Sequence, residues 1–105
     1  MYVITVDFVA NTEDPEAVKA AYKPIMDAYM ESDACLGCQI IQKRSRKEAN
    51  HFKFVNLWRT REEAIEISSR PDVSKAHDLI ESVQTGTQQL QAWVEVDGRG
   101  VLGQS

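Results

Sequence analysis

Nowhere in the 105 residues does an apolar run approach the ~20 that a membrane-spanning helix needs. No charged-then-apolar leader opens the chain. Met1-Tyr2 passes straight into a β-like segment, so no signal peptide is expected and a reducing cytoplasm is the expected compartment. A basic excess is also missing: 12 Lys and Arg stand against 16 Asp and Glu, a net charge of −4. Binding a phosphate backbone needs a basic surface, so nucleic acid is not expected as a partner. The one basic run, 43-KRSRK-47, reads as a solvated hairpin turn. The chain has no nucleophile elbow and no phosphate-binding loop. Its two histidines, His51 and His77, have no ligand spacing between them, so no metal site is expected.

Cysteine is scarce too, but the two present are spaced C-x-x-C in 34-ACLGC-38. In a thioredoxin-type centre that motif opens a helix, whose dipole stabilises a thiolate. Here it opens a segment that reads as a strand. Positions three apart on a strand point to opposite faces. Cys35 and Cys38 are therefore expected to be reduced, structural and turned away from one another, unless the strand is broken at Gly37.

What is present is a single domain of ordinary composition, 43% hydrophobic and 27% charged. Residues 2–9 are β-branched and aromatic and predict a strand. Asp14-Pro15-Glu16 is a helix start, and Val18, Tyr22, Ile25 and Tyr29 give a helical stripe that runs to about Ser32-Asp33. Pro24 lies inside that helix and predicts a kink near Ala20–Pro24. Residues 35–44 and 51–59 predict two strands of an antiparallel hairpin. Thr60-x-x-Glu63 is a capping box opening a short helix over 61–69. Pro71-Asp72 restarts a helix to about Gln84, with Val73, Ala76, His77, Ile80 and Val83 on its inner side. The stretch 85-TGT-87 predicts a turn into a last strand, 88–96. The domain is set at 1–97, with a Gly-rich tail over 98–105 expected to be flexible.

The order β-α-β-β-α-β, with the second helix split, predicts an α+β, ferredoxin-like fold: helices on one face of a four-stranded antiparallel sheet. In strand 1, Ile4, Val6 and Phe8 alternate with Val3, Thr5, Asp7 and Val9, so both faces carry apolar side chains. An exposed patch of that kind predicts a homodimer pairing sheet against sheet.

The segments DACLGCQIIQ, HFKFVNLWRTREEAIEISS and PDVSKAHDLIESV resemble the antibiotic biosynthesis monooxygenase (ABM) domain over roughly residues 2–96. Cys35-Leu36-Gly37 stands where that family has its Cys-Leu-Gly strand, and Trp58-Arg59-Thr60 where it has Trp-x-Ser/Thr. The usual Pro-Gly is replaced by Asp33-Ala34, and the usual aromatic by Cys38. The resemblance implies a dimeric α+β barrel. It implies a cofactor-independent oxidoreductase, a monooxygenase acting on an aromatic or quinol-like small molecule. A haem-degrading branch of the family uses an Asn on strand 1, a Trp on the second helix and a His on the last. By resemblance these positions fall on Asp7, Ile67 and His77, which puts all three at the cavity. The missing Trp disfavours haem as a cofactor, although His77 alone is a fit ligand for a haem iron.

Oxygenation without a cofactor needs an apolar pocket, a base that makes the substrate anion, and room for oxygen beside it. Polar residues on apolar faces are the candidates. Asp7 is either a pocket carboxylate or an edge carboxylate paired with a Lys or Arg. His77, on the inner edge of its helix, is either a general base or a half-buried structural histidine. Together they form the expected catalytic pair, bordering one cavity beneath the helices. Asn56, between Phe54 and Trp58, is placed to orient a substrate carbonyl. Trp58, Trp93 and Tyr22 complete the expected substrate-binding set with Ile67, and each of these is equally a core residue. The competing reading is a non-catalytic dimeric module that binds a small ligand, haem included, in the same pocket.

Overall fold

In the computed structural model, residues 1–100 are described, Thr87 through its backbone alone. Residues 101–105, most of the expected tail, lie outside the described residues. The elements are β1 (Tyr2–Ala10), α1 (Pro15–Met30), β2 (Cys35–Gln42), β3 (His51–Trp58), α2 (Arg61–Ser68), α3 (Pro71–Ile80) and β4 (Gln84–Val94). The strands form a four-stranded antiparallel sheet in the order β2-β3-β1-β4, with β2 and β4 at the edges. This is the ferredoxin-like arrangement predicted from the sequence. Within one chain the sheet is open rather than closed into a barrel, because its edge strands β2 and β4 do not pair.

Local chemistry sets the helix starts. The Asp14 carboxylate accepts from the Glu16 amide at 3.0 Å, and Pro15 fills the first helical position. At α2 the Thr60 hydroxyl accepts from the Glu63 amide at 3.2 Å, as the capping box predicts. Pro24 sits within α1 on its exposed side, and the helix continues through it to Met30. α3 stops at Ile80, four residues short of its predicted end. Ser82 and Val83 donate to Leu79 and Ile80, three residues back, and this tight turn leads into β4.

Alternation decides the two faces of the sheet. Val6, Phe8 and Ala10 of β1 and Phe52, Phe54, Asn56 and Trp58 of β3 are buried beneath the helices. They meet Val18, Tyr22, Ile25 and Tyr29 of α1 and Val73, Ala76 and Ile80 of α3. The aromatic rings form a continuous run. Phe8 stacks on Tyr22 at 5.1 Å, Tyr22 meets Phe54 edge-on at 5.1 Å, and Tyr29 meets Trp58 edge-on at 5.0 Å.

Two irregularities correct the sequence reading. The stretch 85-TGT-87 is not a turn before β4 but lies within it. Asp7 pairs with Gln89 and Val9 with Thr85, so a bulge falls between them, and Gly86 takes φ +71° there, a conformation suited to glycine. The second irregularity is in β2. Cys35 stands opposite Trp58, Gly37 opposite Leu57 and Cys38 opposite Asn56, which leaves Leu36 without a cross-strand partner. One extra residue inverts the alternation. Cys35 and Cys38 therefore face the same, helix-covered side rather than opposite sides. Both carry free thiols.

Candidate functional site

Between the helices and the sheet lies a cavity of about 120 Å³. Its walls are largely aromatic and aliphatic: Tyr22, Tyr29, Phe54, Trp58, Ile80 and Leu90. Asn56, Ser68, His77 and Gln88 bring the polar groups.

Asn56 is the one buried polar residue among those described, 3% exposed. The Trp58 indole N–H donates to its Oδ1 at 2.6 Å. An indole is a donor only, so this bond fixes which end of the amide is oxygen. The NH₂ end has no protein acceptor among the described residues, yet it is not sealed off. Asn56 lines the cavity, and its NH₂ is left available for a ligand. The order Phe54-Val55-Asn56-Leu57-Trp58 made this face legible in the sequence, since alternate residues share a side.

His77 lies one residue after the buried Ala76 and three before the buried Ile80. It borders the cavity while keeping contact with solvent. Desolvation by the surrounding protein pushes its pKa below the ordinary 6.5, partly offset by the Asp78 carboxylate. The imidazole is therefore neutral at pH 7 and able to accept a proton. Burial also raises the phenols of Tyr22 and Tyr29 to about 12, so both remain neutral. The Tyr22 hydroxyl accepts from Gln84 Nε2 at 3.1 Å, and the same Nε2 donates to Gln88 Oε1 at 3.1 Å.

The other candidates lie elsewhere. Asp7 is on the outer face of the sheet, opposite Lys53, and the two side chains pair at 3.5 Å. The sheet separates it from His77, so the expected Asp7–His77 pairing in one cavity does not form. The helices cover the Val6–Phe8 side of β1, and the odd-numbered residues are left facing out. Trp93 is on that outer face too, 52% exposed, with its indole N–H donating to Thr5 Oγ1 at 3.0 Å. Ile67 packs against the core without lining the cavity. A wider concavity of about 570 Å³ runs over the outer face past Asp7, Lys53 and His51. It holds no buried polar group and lacks the aromatic enclosure of the inner cavity.

Sequence reasoning missed Ser68 and Gln88. A signal existed for Ser68: it lies four residues after the buried Ala64, on the same side of α2. A signal existed for Gln88 as well: it lies two residues before Leu90, on the same side of β4.

No family model matches the sequence, nor does any curated protein. Solved structures do match in three dimensions. SnoaB, a cofactor-independent oxygenase from Streptomyces nogalater, superposes with a TM-score of 0.79 at 7% identity, over 92% of this chain and 94% of its own. The fold is that of the antibiotic biosynthesis monooxygenases. A crystal structure of one such monooxygenase is similar at TM-score 0.73 and 16% identity, covering 92% of this chain and all of its own. Rv0793 from Mycobacterium tuberculosis is similar at TM-score 0.75 and 12% identity, covering 94% and 98%. The ABM fold expected from the resemblance is thus the fold found. No helix among the described residues is long and apolar enough to cross a membrane, and none of their His, Cys, Asp or Glu side chains cluster as metal ligands.

Proposed function

We propose that the chain is a small cofactor-independent monooxygenase whose substrate is a single-ring quinol. The observation that carries this reading is Asn56, its NH₂ without a protein acceptor among the described residues, on the wall of an aromatic cavity with His77 at its edge. His77 takes the phenol proton, and the Asn56 N–H donors stabilise the phenolate oxygen that results. The electron-rich ring then reduces O₂ directly. In balance, a hydroquinone and O₂ give a hydroxyquinone and water. The volume of about 120 Å³ favours one ring over a fused polycycle. The name of SnoaB, a cofactor-independent oxygenase with the same fold, is in keeping with this chemistry.

Oxygen uptake with a panel of hydroquinones, read beside fused-ring polyphenols, tests the proposal. Uptake with single-ring substrates and one water per O₂ is expected. Equal rates with fused rings would refute the size argument. The rate kcat/KM should be flat above neutrality and fall as the pH drops through the His77 pKa. Because that pKa is depressed, the midpoint should lie below 6.5. A midpoint above 6.5 would assign the base elsewhere.

One observation favours a second reading, a ligand-binding module without turnover: among the described residues no carboxylate hydrogen-bonds to His77, Asp7 being across the sheet and Asp78 acting on it only through its charge. Quenching of Trp58 fluorescence by a quinol without oxygen uptake would select it. In either case the chain is expected to be a homodimer. Leu90, Trp93, Val94 and Val96 of the edge strand and its extension are 52% to 99% exposed, Trp93 on the outer face beside Val3 and Leu90 on the helix-covered side beside Val6. Sedimentation should give twice the chain mass at micromolar concentration, and a monomer there would refute the dimer. Free thiols in C-x-x-C spacing suit a reducing cytoplasm.

A further inference from the structure

The β2 bulge does more than correct a side-chain direction. By leaving Leu36 unpaired, it places Cys35 and Cys38 on one side of an edge strand, opposite Trp58 and Asn56. The Cys35 S–H donates to the Gly37 carbonyl at 3.6 Å, and the two thiols are near enough to act on one another's acidity. Cys35 is buried, 6% exposed. Cys38 is more open and borders a groove of about 320 Å³ beside Lys19 and Met26 of α1. Gly37 between them has open space where a side chain would stand, so no packing on that side wedges the bulge.

We propose that Cys35 and Cys38 form a dithiol–disulfide redox site, oxidised by a hydroperoxide that enters through the groove at Cys38. The neighbouring Cys38 thiol holds the Cys35 thiol down to about 7, while Cys35 pushes the Cys38 thiol up, so a fraction of the pair carries one thiolate at neutral pH. The pair's thiolate attacks the outer oxygen of the peroxide. The O–O bond breaks, an alcohol or water leaves, and a sulfenic acid forms. The second thiol then displaces the hydroxyl as water, and the S–S bond closes. Two electrons pass from the two sulfurs to the peroxide, and two protons leave in the water and alcohol. An ordinary strand could not do this, because its alternation would hold the sulfurs on opposite faces. The site does not depend on what the cavity binds.

Oxidation of the folded protein with one equivalent of hydrogen peroxide at pH 7.5 tests this, read by thiol titration and intact mass. The titratable thiols should fall from two to none, with loss of two hydrogens from the monomer mass, and a dithiol reductant should restore both. Cys35→Ser and Cys38→Ser should each lose this mass change and instead accumulate a dimedone-reactive sulfenic acid or its further oxides. Wild-type protein that keeps both thiols, or that is oxidised only into disulfide-linked dimers, would overturn the proposal without any variant. Faster ring closure in urea than in the folded state would also overturn it, since the fold would then be holding the sulfurs apart.

Discussion

Replacing His77 with alanine is expected to lower turnover by about 10²–10⁴-fold, the contribution of a positioned general base. The fold should survive. His77 keeps contact with solvent, while its neighbours Val73, Ala76 and Ile80 bury the helix face. Surface substitutions of this kind typically shift stability by less than ~0.5 kcal/mol. His77→Gln keeps a polar side chain but cannot take a proton, so it should be as inactive as His77→Ala. Asp7→Asn is the control that separates the two faces of the sheet. It removes only a half-exposed ion pair with Lys53, worth at most ~1 kcal/mol, and turnover should be unchanged. Steady-state oxygen uptake reads all three. Equal damage from Asp7→Asn and His77→Ala would mean that the reaction uses the outer face.

The second large effect belongs to the Trp58–Asn56 pair. Trp58→Ala removes an indole that is 1% exposed and packed edge-on against Tyr29, and should cost ~3–5 kcal/mol in urea denaturation. Asn56→Leu leaves the Trp58 N–H buried without its acceptor, a loss of ~1–3 kcal/mol. It also removes the NH₂ available to a ligand, and turnover should fall by about 10²–10³-fold. Trp58→Phe distinguishes packing from positioning. It keeps most of the ring but frees the Asn56 amide to turn over. KM and kcat should then both worsen while stability falls less than in Trp58→Ala. A Trp58→Phe protein with wild-type kinetics would show that the indole bond does not orient Asn56.

A strand could be read residue by residue, but not the side it would show to the helices. Ile4, Val6 and Phe8 and the alternate set Val3, Thr5, Asp7 and Val9 are both apolar enough to face a core. Only the docking of α1 and α3 selects between them, and Asp7 falls on the uncovered side. Trp93 follows the same logic one strand away, opposite Val3. His77 and Asn56 were legible because each is flanked at its own period by residues that could not be exposed together: Val73 and Ile80 on a helix, Phe54 and Trp58 on a strand.

By itself, then, the sequence determined the element order, the caps at Asp14 and Thr60, and the stripe Val18-Tyr22-Ile25-Tyr29. Each of these depends on contacts within a few residues, where spacing alone fixes the geometry. Tertiary structure decided the sides. Whether Asp7 meets His77 depends on which face of the sheet the helices cover, and whether Cys35 meets Cys38 depends on where β2 slips a residue against β3. A period of two carries no record of either, because one bulge residue reverses every side chain beyond it.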